Sequence, residues 1–273
     1  MYLNHEGINI FYEFADRGSR HVLVLIHGFG GSSTDWELFT AALPTDQSYL
    51  LIDLPGCGKS EKARDESFYT FEGLGDVVAS VVRECGVKST VLCGYSAGGR
   101  LVYYITAHQL IENQTAFVAI STTPGIPVEE DRKERRQGDI DHAAKIAEYG
   151  IEAWAENWLK LDLFEGLKGM PEEFMKEYRA RRVQNDPEVL QKYLLLSGTG
   201  IMEPQQPLLR ELEIPGLLIS GSCDEKYLGI ASRVTRVNKL YKHFVIEGGW
   251  HTLYIEKPAE TVHLIIDFLK ELN

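Results

Sequence analysis

The run Gly94-Tyr95-Ser96-Ala97-Gly98 sets a serine hydroxyl among small neighbours in Gly-x-Ser-x-Gly spacing. A buried strand reads into it over Lys88 to Cys93, and helical spacing reads out of it over Arg100 to Leu110. Such a turn is sharp and crowded, and it leaves the hydroxyl exposed above a sheet, near the positive end of a helix. The plainer reading is a glycine-rich turn that cradles phosphate. A serine becomes reactive through a base, and the base is oriented by an acid, in the chain order Ser, acid, His. Asp224 follows a strand ending at Ser220, and His251 follows one ending near Glu247. Both lie beyond the carboxyl ends of strands, where sites form in open sheets. Ser96, Asp224 and His251 are therefore the candidate triad, with Glu225 as the alternative acid and a turn cap as the plainer role of Asp224. Among eight histidines only His27 and His251 fall in glycine-containing loops after strands. His27 comes too early for the triad and belongs to the loop His27-Gly28-Phe29-Gly30-Gly31. His5, His21, His108, His142, His243 and His263 read as surface or packing residues. Developing negative charge needs preorganised N–H donors, and the amides of Ala97 and Phe29 are the candidate oxyanion hole.

The elements that must hold these groups alternate between strand and helix. Ile8 to Phe14 and His21 to Ile26 read as a hairpin joined by the turn Asp16-Arg17-Gly18-Ser19. The second of these is a nearly continuous apolar run, as suits a strand buried on both faces. Ser48 to Ile52, Thr115 to Ser121, Ile214 to Ser220 and Lys242 to Glu247 are further strands. Phe71 to Cys85 and Pro258 to Leu272 carry helical periodicity, and Gly86 stops the first. This alternation predicts an α/β fold with a mostly parallel, doubly wound sheet. No strand pattern occurs from about Val128 to Leu212. Residues 128–211 are expected to form a helical lid inserted into a core of residues 1–127 and 212–273, with Trp154, Trp158, Leu161 and Phe164 on one helical face.

Bulk properties narrow the partners. A net charge of -12 over 273 residues argues against a nucleic-acid binder and against simple electrostatic adhesion to anionic membranes. Met1 to Gly7 has no signal-peptide pattern, and no apolar run is long enough to span a bilayer. Cys57, Cys85, Cys93 and Cys223 are scattered without paired spacing, which favours a reduced, cytoplasmic setting and argues against a metal site. Oligomeric state is not legible.

Gly94-Tyr95-Ser96-Ala97-Gly98-Gly99-Arg100 resembles the nucleophile motif of the α/β-hydrolase-fold enzyme 2-succinyl-6-hydroxy-2,4-cyclohexadiene-1-carboxylate (SHCHC) synthase of menaquinone biosynthesis. His27-Gly28-Phe29 with Trp36, Asp53-Leu54-Pro55-Gly56, Pro124-Gly125-Ile126, the charged run Glu134 to Asp139, and Asp224-Glu225-Lys226-Tyr227 are similar to that family too. The likeness runs through nearly the whole chain. It implies an α/β-hydrolase fold with a helical lid. It also implies a carbon-oxygen lyase that eliminates pyruvate from a tricarboxylate cyclohexene intermediate to form SHCHC. In that reaction Ser96 takes a ring proton, no acyl-enzyme forms, and neither metal nor organic cofactor is needed. Arg100, Arg135, Trp158, Arg182, Tyr95, Phe164 and Lys226 are implied to bind this small anionic substrate. Arginine suits carboxylates because its fork of donors is bidentate and permanently charged. Arg136 reads as a solvated charge. Two positions depart from the family pattern: Cys57 stands where relatives often have His, and Trp250 where a small residue precedes the histidine. A bulky Trp at 250 would reshape the pocket or pack behind the histidine, which bears on the substrate more than on the triad. The competing readings are a hydrolase of esters, thioesters or carbon-carbon bonds with an acyl-serine intermediate, and a ligand-binding protein without catalysis.

Overall fold

The computed structural model describes residues 1–272. Among the described residues eight strands form: β1 (Tyr2–His5), β2 (Ile8–Ala15), β3 (Val22–Ile26), β4 (Tyr49–Ile52), β5 (Thr90–Tyr95), β6 (Gln114–Ile120), β7 (Gly216–Gly221) and β8 (Tyr241–Ile246). The α-helices are α1 (Glu37–Ala42), α2 (Phe71–Glu84), α3 (Ala97–Ala107), α4 (Glu129–Trp158), α5 (Glu172–Val183), α6 (Pro187–Ser197), α7 (Gln206–Arg210), α8 (Glu225–Val234), α9 (Leu253–Glu256) and α10 (Pro258–Glu271).

The strands make one sheet in the order β1-β2-β4-β3-β5-β6-β7-β8, parallel from β4 to β8 and antiparallel at β1 and β2. Side chains alternate across a strand, so β3 sends Val22, Val24 and Ile26 to one face and Leu23 and Leu25 to the other. The first set packs with α2 and α3 residues such as Val78 and Val102, the second with Phe39, Ile265 and Phe268. Both faces are covered, which is why the central strands are continuously apolar.

The expected hairpin between the second strand and β3 does not form. Strand β4 lies between them, with Tyr12 opposite Ile52 and Leu25 opposite Leu51. The hairpin lies one strand earlier, where Glu6 and Gly7, both at positive φ, turn β1 into β2. Two central residues at positive φ suit the twist of a tight hairpin. The segment Asp16 to Ser19 is instead a link across the intervening strand, tied by Gly18 N–H to the Asp16 carboxylate at 3.1 Å.

Between β6 and β7 the described residues are helical or irregular. Helix α4 is broken at Gly150, whose φ of 80° and ψ of 177° are not helical. The expected single aromatic face is broken as well. Trp154 and Trp158 end α4, whereas Leu161 lies in the following turn and Phe164 in a 3₁₀ segment. Phe164 returns to Trp158 with ring centroids 5.7 Å apart. Met202 and Leu209, late in this stretch, are buried in the same core cluster as α2 and α3 residues such as Val78 and Val102.

Candidate active site

The strand order reverses between β3 and β5, since β4 lies to one side of β3 and β6 beyond the other side of β5. A crevice opens at such a switch point. The loops after β3, β5, β7 and β8 all reach it.

Ser96 stands between β5 and α3 with φ of 50° and ψ of -107°, outside the helical region. The elbow glycines are required by contact. A Cβ on Gly94 would run into the backbone of Gly98 and Gly99, and one on Gly98 into the carbonyl oxygens of Ile26 and His27. The Ser96 amide donates to the Ile120 oxygen at 3.0 Å, and the Thr122 hydroxyl donates to the Ser96 carbonyl at 2.6 Å. Neighbouring strands thus hold the strained turn.

The structure brings the three expected residues together. His251 Nε2 lies 3.1 Å from Ser96 Oγ, and His251 Nδ1 lies 2.7 Å from Asp224 Oδ2. An ionised carboxylate only accepts, so Nδ1 carries the proton and Nε2 is left to accept the serine O–H. The His251 and Asp224 side chains are 3% and 8% exposed, and so largely shielded from competing water. Glu256 fixes the His251 loop by accepting from the amides of Trp250 (2.8 Å) and Thr252 (2.7 Å). Glu225 is exposed, whereas Asp224 is buried and bonded to His251, so of the two candidate acids Asp224 is the one beside the histidine.

Phe29 and Ala97 flank the cavity beside Ser96. Neither amide has a backbone partner among the described residues, and Ala97 opens α3, where helix amides are left unpaired. His27 is locked in place behind them: its Nε2 accepts the Leu54 amide at 3.2 Å, so Nδ1 donates to Gly28 O at 2.9 Å. Burial, as the largest influence, lowers the His27 pKa below its ordinary value and keeps the ring neutral.

The remaining expected residues line the same cavity: Tyr95, Arg100, Arg135, Trp158, Phe164, Arg182 and Lys226. Their situations differ. Arg100 makes no ion pair among the described residues, and its Nε is sealed from solvent without a partner. Burial, then the nearby Arg135 cation, push its pKa down to about 10, against the pull of Tyr227 and Asp139. Lys226 sits exposed at the rim. Partial burial, then Arg135 and Arg100, lower its pKa. Arg135 donates through Nε to Asp139 at 2.8 Å. Arg182 is 3% exposed and gives both terminal nitrogens to the Asp35 carboxylate, at 3.1 and 2.8 Å. Arg136 is exposed, as expected of a solvated charge.

Three features escaped the sequence reading. His142 is no bland surface residue: it lines the cavity, accepts Trp154 Nε1–H at 3.1 Å and stacks on Trp158 at 5.4 Å. Asp139 stands four residues after Arg135 on one helix, a spacing that places the two on one face. Asp35 had no local signal, since its partner is 147 residues away. Of the two departures, Cys57 lines the cavity, its thiol pushed up to about 12 chiefly by burial, and Trp250 does not line it.

Residues 23–264 match the alpha/beta hydrolase family, and the chain belongs to it. Within that family it resembles the SHCHC synthases. It is 29% identical over 263 residues to a "Putative 2-succinyl-6-hydroxy-2,4-cyclohexadiene-1-carboxylate synthase" of Bacillus subtilis (strain 168), covering 96% of this chain and 95% of that one. It is 27% identical over 248 residues to the synthase of Citrobacter koseri, covering 91% and 93%. The solved structure of MenH from S. aureus superposes with a TM-score of 0.89 at 31% identity, covering 96% of this chain and 98% of that one. A thermophilic esterase from Thermogutta terrifontis shares the fold, with a TM-score of 0.81 at 22% identity over 97% of this chain and 94% of that one.

Proposed function

We propose that this protein is a carbon-oxygen lyase that eliminates pyruvate from a tricarboxylate cyclohexene intermediate to form SHCHC in menaquinone biosynthesis. One observation carries the reading. Arg100, one turn from Ser96, is a half-buried cation whose Nε is sealed from solvent, without an anionic partner among the described residues. A solitary buried charge is costly unless a ligand completes it. In a chain of net charge -12, the site nevertheless gathers Arg100, Arg135 and Lys226 around one cavity. Arg182 and Arg135 are already compensated by Asp35 and Asp139, so the uncompensated cations are Arg100 and Lys226. Phe29, Trp158 and Phe164 supply the facing apolar wall.

In this reading His251, oriented by Asp224, accepts the Ser96 proton as Ser96 takes one from the substrate ring. Electrons from the broken C–H bond move through the ring, the C–O bond breaks, the departing enolate takes up the proton held on His251 and leaves as pyruvate, and the Phe29 and Ala97 amides hold the charge that develops on oxygen. The same triad would suit acyl transfer, and a side-by-side assay separates the two. Pyruvate release from the tricarboxylate with negligible hydrolysis of neutral aryl esters supports the lyase. The reverse pattern establishes a hydrolase.

A further inference from the structure

Arg182 belongs, by its place in the lid, among the groups expected to hold the substrate, yet its guanidinium is spent elsewhere. Both terminal nitrogens meet the two oxygens of Asp35, and the guanidinium carbon lies 3.9 Å above the Tyr178 ring. The pair is dry, with side-chain exposures of 3% and 1%. Two further contacts join the same end of α5 to the same loop. Arg181 Nη1 donates to Thr34 O at 3.0 Å, and Asn185 Nδ2 donates to Gly30 O at 3.0 Å. Asp35 also receives the Ser32 amide at 3.4 Å, and any Cβ on Gly31 would press against its Oδ2. All three lid contacts therefore land within Gly30 to Asp35, directly after Phe29.

We propose that Asp35 is a positioning residue: through Arg182 it locks the lid helix α5 onto the loop that carries the Phe29 amide, so that Arg182 serves the oxyanion hole and not a substrate carboxylate. This rests on the reading of the Phe29 amide as an oxyanion donor. A bidentate, charge-assisted pair fixes orientation as well as distance. That matters because donors must be in place before charge develops, and a displacement of about 1 Å can cost on the order of 10²-fold in rate. Burial opposes the charge on Arg182, but Asp35 together with Tyr178 and Tyr254 outweighs it and the guanidinium pKa is raised.

Three variants test this: Asp35→Asn, Arg182→Gln, and the two together, the last leaving no unpaired buried charge. Each is read by thermal unfolding, by kcat and KM for pyruvate release, and by the rate at which an uncharged alkyl fluorophosphonate labels Ser96. Labelling draws on the oxyanion amides and on no carboxylate clamp. Positioning predicts that the double variant folds and loses kcat and labelling rate together, each by roughly 10²-fold, while KM stays within about twofold. It also predicts that the single and double losses are alike, since the pair acts as one unit. A double variant that labels at the parental rate, or whose only defect is a raised KM, overturns the proposal and returns Arg182 to substrate binding. Should the double variant fail to fold, Arg182→Lys keeps the charge without the two-point grip and is expected to show the same paired loss. A parent that labels but releases no pyruvate refutes the proposed reaction and leaves positioning to be decided by the labelling rates. A parent that does neither overturns both.

Discussion

Replacing Arg100 with methionine should make this protein more stable and less active at once. In the folded state the guanidinium pKa falls from 12.5 to about 10. At about 1.36 kcal/mol per unit, the fold carries roughly 3 kcal/mol of unfavourable energy in holding that charge. The residue is only partly buried, so solvent screening reduces the figure, and a gain of about 1–3 kcal/mol is expected. Methionine retains the packing of the aliphatic stem, which alanine would forfeit. For a chain of this size the gain corresponds to a Tm rise of roughly 3–10 °C. The sign with pH follows from the lowered folded-state pKa. Both states are charged below about 10, so the penalty is full there and fades only above it. Across neutral pH the stabilisation should be constant. Thermal unfolding of parent and variant, each with and without citrate as a generic tricarboxylate, checks the reasoning. Citrate should raise the parent Tm more than that of Arg100→Met, and pyruvate release should be lost in the variant. A variant less stable than the parent, or one that gains equally from citrate, would refute the account of Arg100 as a charge awaiting its anion.

Ser96→Ala and His251→Ala should each lower pyruvate release by roughly 10⁴-fold or more, and combining them should cost little further, because triad members act as a unit. Asp224→Asn should cost on the order of 10⁴-fold with unchanged thermal stability, since the 2.7 Å contact remains but its polarity reverses. Independent, additive losses measured in steady-state kinetics would break the triad assignment. Burial foremost lowers the pKa values of His27, His142 and His243 below the ordinary 6.5. As pH falls through about 6.5 the unfolded chain takes up protons that the folded one refuses, so stability present above that pH is lost below it, by up to about 1.4 kcal/mol per pH unit for each. Urea unfolding at about pH 7.5 and 5.5 should show this slope. Because protonated His142 could no longer accept the Trp154 indole, His142→Gln should remove its share of the slope and leave that of His27 and His243, and an unchanged slope would count against that origin.

Local chemistry was legible from residue types, while long-range pairing was not. The elbow around Ser96 could be read because glycines at 94 and 98 answer a clash within a few residues of themselves. The order Ser96, Asp224, His251 followed from strand ends, and all three met at hydrogen-bonding distance. The hairpin reading failed because strand pattern fixes which faces are buried but not which strand is the neighbour, and β4 entered between β2 and β3. The charged residues of the lid show the same limit. Arg135 and Asp139 announce each other at helical spacing, whereas nothing near Arg182 points to Asp35. His142 looked ordinary because its character comes from Trp154, twelve residues on and beyond the break at Gly150.

The central claim is that Ser96 removes a proton and does not become acylated. It is tested most directly by counting pyruvate during a single turnover of the tricarboxylate while recording the intact mass of the enzyme. The account predicts one pyruvate per active site with Ser96 at its unmodified mass throughout, and no pyruvate from Ser96→Ala. An acyl adduct on Ser96, or full pyruvate release from Ser96→Ala, would contradict it.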